Sequence, residues 1–214
     1  MSTRLLAIAA VASLASLANA QITITEASPT GSSGFVASDW FELTNFGPLA
    51  VDITGWKVDD NSNAFANSLA LLGITSIAPG ESVVFIETSP TNAAARLASF
   101  RTFWGQLSSV QVGTYNGSGI GLSGSGDAVN IFLADGTLVT RVDFGAQPNV
   151  GVSFGYNPLT NTFGANSVAG VFGARVADGS TIQTTEVGSP GVIPAPSACA
   201  LLALAGIAAG RRRR

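Results

Sequence analysis

The most constraining stretch of this chain runs from Asp39 to Trp56. Within it, Trp40–Thr44 alternates between two faces, which is the period-two pattern of a β-strand. The next four residues, Asn45–Pro48, favour a turn, because glycine accepts positive φ and proline fixes φ. The chain is extended again up to the second tryptophan. Both tryptophans are therefore predicted to anchor a core between packed strands.

Short strand-like segments separated by polar turns recur along the chain, which is typical of an all-β domain. The clearest are 21–27, 82–86, 127–133, 138–144 and 150–156. The first alternates in the manner of a strand with one buried face. The Asp135-Gly136 pair predicts a hairpin between the third and fourth segments. The glycine-rich stretch 110–126 is predicted to form turns and loops, since a nucleotide-binding loop would need a following helix.

One helix is predicted over Thr91–Trp104, where Leu97, Phe100 and Trp104 form an apolar stripe that packs into the core. About eight or nine strands and this helix together predict an all-β fold. We expect an immunoglobulin-like antiparallel β-sandwich with one short inserted helix. That domain is expected over residues 21–191.

The N-terminal residues 1–20 have the pattern of a secretory signal peptide. Arg4 precedes an apolar run over Leu5–Ala18, and Ala18 and Ala20 are small residues at the expected cleavage positions. The apolar run is too short for a membrane-spanning helix, which needs about 20 residues. The sequence therefore predicts an exported protein that begins near Gln21.

Residues 192–214 form a distinct tail, with a predicted hydrophobic helix over about 198–209. Before that run lie Pro194, Ala195 and Pro196, and after it lie Arg211, Arg212, Arg213 and Arg214. This order resembles the PEP-CTERM sorting signal of bacterial surface proteins, although alanine stands where glutamate is typical. The resemblance implies an exosortase-type processing enzyme as partner, transient membrane insertion, and release or attachment at the cell surface. A simple membrane anchor is the alternative.

Composition argues against most enzyme classes. The chain has no histidine, and its single cysteine, Cys199, lies in the tail, which excludes most nucleophile–base dyads. Two carboxylates, Glu26 and Glu42, are expected on neighbouring strands, and such pairs act in glycoside hydrolysis. We favour a structural role for them, as hydrogen-bond acceptors, and predict a protein that is not an enzyme.

Charge argues against a nucleic-acid partner. Five of the ten basic residues lie in the two terminal segments, whereas all 13 acidic residues lie between them. The central domain is therefore acidic and would repel a polyanion.

One polar loop suggests a calcium site. Asp59, Asp60, Asn61 and Asn63 offer several hard oxygens within five residues, which suits the irregular ligand shell of Ca²⁺. The spacing is not that of an EF-hand loop. A solvated polar loop is the alternative, and no other cofactor is expected.

The central region resembles a lamin tail domain, an immunoglobulin-like module. The pieces that carry the resemblance are Ile22–Glu26, Trp40–Asn45, Val51–Trp56, Asp59–Asp60, Ile77–Gly80, Phe100–Gly105, Gly126–Val129 and Arg141–Gly145. The resemblance covers about Gln21–Gly191 and is strongest over Gln21–Ile86. It implies the β-sandwich predicted above.

Together these features predict an exported, non-enzymatic binding or structural module of the cell surface or extracellular matrix. Its expected partners are extracellular polysaccharides or surface proteins. The alternatives are a calcium-dependent adhesion or glycan-binding domain and a carboxylate-based hydrolase that acts on polysaccharides.

Overall fold

A computed structural model of the chain describes residues 22–29, 38–105, 107–117, 119–181 and 185–193. The strands are β1 (Ile22–Ser28), β2 (Trp40–Asn45), β3 (Val51–Asp52), β4 (Lys57–Asp59), β5 (Leu69–Ala70), β6 (Ser76–Ile77), β7 (Ser82–Glu87), β8 (Val112–Tyr115), β9 (Asp127–Phe132), β10 (Leu138–Phe144), β11 (Phe154–Asn157), β12 (Thr162–Asn166), β13 (Arg175–Val176) and β14 (Val187–Gly188). The helix α1 (Ala93–Phe103) follows a short 3-10 turn, Pro90–Asn92, and a second 3-10 turn is Phe65–Asn67. The predicted immunoglobulin-like β-sandwich with one inserted helix is confirmed.

The larger sheet has six strands in the order β12-β11-β1-β2-β7-β8. Its neighbouring strands are antiparallel except for β7 and β8, which are parallel. The prediction that 110–126 forms only turns and loops is therefore wrong over β8. A four-residue strand between glycines has too little periodicity to be recognised, and its partner lies far back in the sequence.

The second sheet has the order β10-β9-β4-β5. The predicted hairpin between β9 and β10 is confirmed, and Gly136 at its turn has φ +93°, which a side chain would strain. Two further two-stranded sheets pair β3 with β6 and β13 with β14. The extended chain also breaks at Gly55, which has φ +78° between β3 and β4.

The main core lies between the two sheets and contains Trp56. Stacked rings cross it, with centroids 5.6 Å apart for Phe41 and Phe85 and 4.9 Å apart for Phe144 and Phe154. Burial of this apolar surface is the chief force that holds the sheets together.

A second core lies on the outer face of the larger sheet, beneath α1. Trp40 contacts Phe100 and Trp104 edge to face, with ring centroids 5.8 and 5.9 Å away. The apolar stripe of the predicted helix thus packs as expected. Strand β2 is buried on both faces, because Phe41 and Leu43 point into the main core.

Strand β1 was expected to bury one face, and this is wrong, since all its residues except Thr23 are buried. A bulge between Ile24 and Glu26 interrupts its pairing with β2. The outer face there is covered by the segment 185–193, which contains β14. This cover places polar side chains of β1 and β2 in a closed environment.

Candidate functional site

Glu26 and Glu42 are direct cross-strand partners on β1 and β2, which confirms that they lie on neighbouring strands. Both side chains are 0% exposed. The outward face of β2 carries Trp40 and Glu42, so the two carboxyl groups lie beneath the 185–193 segment rather than in the main core.

The Glu26 carboxylate is surrounded by donors from distant parts of the chain. The backbone N–H of Ser189 lies 2.8 Å from Oε1, and the Ser189 hydroxyl lies 2.9 Å from Oε2. The hydroxyl of Ser153 also donates to Oε1, and that of Ser167 lies at 3.5 Å. These donors stabilise a charged carboxylate.

Glu42 has fewer donors. Thr25 donates its hydroxyl to Oε1 at 2.6 Å, and the backbone N–H of Gly191 donates to Oε2 at 2.6 Å. The hydroxyl chain continues from Thr25 to Thr44 and from Thr44 to Ser82, at 2.8 and 2.6 Å. The C-terminal segment is therefore bound to both glutamates through its backbone.

Burial dominates the electrostatics of this pair. It raises the pKa of Glu26 to about 7, against the opposing effect of the hydrogen bonds from Ser153 and Ser189. Burial and the nearby charge of Glu26 raise the pKa of Glu42 well above its usual range. Burial disfavours the charged form of both groups, and the larger set of donors makes Glu26 the member that is favoured as the carboxylate.

This geometry does not favour the hydrolase alternative. A glycosidase needs two carboxyl groups that reach a bound sugar. Here both carboxyl groups are fully buried beneath Ser189 and Gly191. A polysaccharide has no access to them in this conformation.

The predicted calcium residues lie together in the loop after β4. Asp59 Oδ2 accepts hydrogen bonds from the Ser62 hydroxyl at 2.7 Å and the Ala64 N–H at 2.6 Å, and Asp60 Oδ1 accepts from the Ser62 N–H at 2.9 Å. Asn61 and Asn63 are exposed. These hydrogen bonds hold the conformation of the loop. The other carboxylate oxygen of Asp59, Oδ1, is buried and has no partner in the described structure.

Across the residues that the structure describes, no three Asp, Glu, His or Cys side chains form a preformed metal cluster. None of the helices in this part of the chain is long and apolar enough to cross a membrane. The predicted processing residues Ala18 and Ala20 lie outside the described ranges, as do Pro194–Pro196 and Arg211–Arg214.

The structure also brings together residues that the sequence analysis did not single out. Asp39 directly precedes β2, Glu87 ends β7 and Tyr115 ends β8. These three strands are adjacent in the larger sheet, so the three side chains lie at one end of it. An acidic residue beside a tryptophan, Asp39 before Trp40, could have drawn attention to this end of the sheet. The parallel pairing that brings Tyr115 there has no local sequence pattern.

Comparison with known proteins identifies the fold family. A family model described as the lamin tail domain matches residues 15–146, which is more than half of the chain. No curated protein matches the chain. Strands β11 and β12 follow the matched region but extend the same six-stranded sheet. The chain belongs to the lamin tail domain family, whose immunoglobulin-like fold serves as a structural or protein-interaction module.

Proposed function

We propose that this protein is an exported, non-enzymatic binding or structural module of the cell surface or extracellular matrix, sorted through its C-terminal tail. Its partners are extracellular polysaccharides or surface proteins. An exosortase-type enzyme processes the tail, which enters the membrane transiently. The proposal combines the family with the two terminal segments that are predicted to be signals.

The observation that carries the proposal is the attachment of Ser189 and Gly191 to Glu26 and Glu42. These contacts hold the segment 185–193 on the larger sheet, next to the predicted start of the tail. In this proposal the tail is recognised and removed, while the body supplies the binding surface.

Fractionation and intact-mass measurement of the native protein test this proposal. We expect a mature chain that begins at Gln21, lacks the arginine cluster and is recovered from the cell surface or the medium. A matched variant with Arg211–Arg214 replaced by alanine should keep its N-terminal processing and lose its C-terminal processing. Recovery of the wild type with Met1 intact inside the cell would contradict the proposal.

Calcium-dependent adhesion is a second candidate, and the unpartnered buried Oδ1 of Asp59 favours it. Buried polar atoms without a partner often mark a water or an ion. Calorimetric titration with Ca²⁺ should show binding that Asp60→Asn weakens and that the distant, exposed Asp135→Asn leaves unchanged. Equal affinities in all three proteins would remove the loop as the site.

A further inference from the structure

Asp39, Glu87 and Tyr115 share one end and one face of the larger sheet. The N–H of Glu87 donates to the carbonyl of Asp39 at 2.8 Å, and Glu87 is the register partner of Tyr115. Because side chains alternate along a strand, Asp39 lies on the same side as Phe41, and Glu87 on the same side as Phe85. Both phenylalanines belong to the main core. All three polar side chains therefore lie at the mouth between the two sheets.

The opposite sheet adds a third carboxylate to this mouth. Asp127 begins β9, and its charge acts on both Asp39 and Tyr115. Its own oxygens are occupied, since Oδ1 accepts from the N–H of Asn61 at 3.0 Å and Oδ2 accepts from the N–H of Ser123 at 2.6 Å. Asp127 therefore contributes negative potential more than free ligand atoms.

The hydroxyl of Tyr115 is an independent sign of a missing ligand. The side chain is 1% exposed, and its oxygen has no hydrogen-bond partner in the described structure. Burying a hydroxyl without a partner costs about 1–3 kcal/mol. The ring itself packs on Phe41 at 5.5 Å, so a phenylalanine would serve the core without this cost. Core packing therefore does not explain why this residue carries a hydroxyl.

The surrounding charges describe what the ligand must be. Burial, followed by the charge of Glu87, raises the pKa of Asp39 to about 8. Burial also raises the pKa of Glu87, although a backbone hydrogen bond from Asp39 and the positive charge of Arg96 oppose this. The phenolic pKa of Tyr115 is raised by burial and by the negative charges of Asp39, Glu87 and Asp127. Three carboxyl groups at one mouth disfavour an anion and favour a cation.

We propose that this end of the sandwich binds a divalent cation of the Ca²⁺ class, through Oδ1 of Asp39, the carboxylate of Glu87 and the hydroxyl of Tyr115. The other oxygen of Asp39, Oδ2, accepts from the N–H of Leu122 at 2.5 Å and holds the side chain in place. Ca²⁺ accepts oxygen ligands in irregular sets and completes its shell with water. Three strands supply the three donors, so the ion would join the ends of β2, β7 and β8. This site is separate from the loop of Asp59, and it does not depend on export of the protein.

The proposal is tested by calorimetric titration of the full chain with Ca²⁺. Wild type should bind with a dissociation constant on the order of 10⁻⁴–10⁻³ M, as in extracellular calcium modules. Asp39→Asn should weaken binding by about tenfold or more, since it removes a charged ligand. The control Asp52→Asn, which changes an exposed carboxylate elsewhere, should bind as wild type does.

Tyr115→Phe separates a ligand role from a packing role. The variant keeps the ring contacts but should bind Ca²⁺ several-fold more weakly than wild type.

Three outcomes would overturn the proposal. These are the absence of binding at millimolar Ca²⁺, an affinity in Tyr115→Phe equal to that of wild type, and binding that Asp60→Asn abolishes but Asp39→Asn preserves. The last result would place the ion in the loop after β4.

Discussion

Two carboxylate pairs involve residues only three positions apart, Glu42 on strand β2 and Asp39 just before it, and the pairs differ in their neighbours. Glu42 pairs with Glu26 on the outer face, where hydroxyl and backbone N–H donors meet both carboxyl groups. Asp39 lies near Glu87 on the inner face, where its Oδ2 accepts from the N–H of Leu122 at 2.5 Å. The buried hydroxyl of Tyr115 beside them has no partner in the described structure. The first pair is complete within the protein. The second pair belongs to the cation site that we propose.

This difference shows that burial alone does not give a carboxylate its role. Both pairs have raised pKa values, and burial is the largest cause in each. What separates them is the chemistry of their neighbours. Several N–H and O–H donors surround Glu26 and Glu42 and stabilise an anion there. Asp39 accepts from the N–H of Leu122, but the oxygen of Tyr115 beside it has no partner in the described structure, which favours a cation.

The largest effect is predicted for a substitution that breaks the pair of Glu26 and Glu42. Glu26→Leu keeps a similar volume but leaves the N–H of Ser189 and the hydroxyl of Ser153 without their acceptor. We expect the free energy of unfolding to fall by about 4 kcal/mol, as for other broken buried pairs. Urea unfolding measures it.

The matched variants are Glu26→Gln and Glu42→Gln at neutral pH. Glu42→Gln should cost less than about 1 kcal/mol, because an amide can donate to the Thr25 hydroxyl and accept from Gly191. Glu26→Gln should lower the free energy of unfolding by clearly more than Glu42→Gln does. Its new amide N–H₂ group would face the donors of Ser153 and Ser189 and could not accept from them. Equal losses would show that the proton is not held mainly by Glu42.

The second prediction concerns pH. The pKa of Glu26 is raised from 4.5 to about 7 on folding, so its stabilising contribution is full below about pH 4.5 and is lost as the pH rises through about 7. This is a loss of up to about 3 kcal/mol for wild type. Urea unfolding across that range should show it, and the double variant Glu26→Gln/Glu42→Gln should show a smaller decline. If the stability of the two proteins fell equally with pH, the decline could not be assigned to Glu26.

A third prediction tests the cover over the pair. A Cβ at Gly188 would lie 2.7 Å from Glu26 Oε1 and 3.2 Å from the Trp104 ring. Gly188→Ala should therefore push the 185–193 segment outward and cost about 2 kcal/mol by overpacking. Gly145→Ala is the control, because nothing lies within 4 Å of its added Cβ. Hydrogen exchange at Ser189 and Gly191 should rise in the first variant and not in the second.

The smallest predicted effect is a gain in stability, and it concerns Tyr115 beside Asp39 and Glu87. Without Ca²⁺, Tyr115→Phe should raise the free energy of unfolding by about 1 kcal/mol, because it removes a buried hydroxyl that has no partner. Thermal unfolding in a chelator measures it. Tyr156→Phe is the comparison, since the hydroxyl of Tyr156 donates to Asn161 at 2.5 Å on the surface. Destabilisation by Tyr115→Phe would mean that the hydroxyl has a partner after all.

The sequence predicted those features that have a local signature. The alternation of Trp40–Thr44 identified both faces of β2, and the Asp135-Gly136 turn identified the hairpin of β9 and β10. The spacing of Phe100 and Trp104 identified the buried stripe of the helix. Each of these depends on residues within one turn or one strand of each other.

The remaining features depend on contacts that no local pattern encodes. Glu26 meets Ser189 across 163 positions of sequence, and Tyr115 reaches Glu87 through a parallel strand pair. The bulge after Ile24, which interrupts the pairing of β1 beside Glu26, also has no residue signature in this chain. Periodicity shows which face of a strand is buried, but it does not show what covers that face.

The attachment of the C-terminal segment has a mechanical consequence. A pull on the chain beyond residue 193 reaches the fold first through Gly191 and Ser189, and from there through Glu42 and Glu26. These glutamates belong to β1 and β2, the two middle strands of the six-stranded sheet. Tension at the tail is therefore carried into the centre of the sheet and not to an edge strand that could peel away.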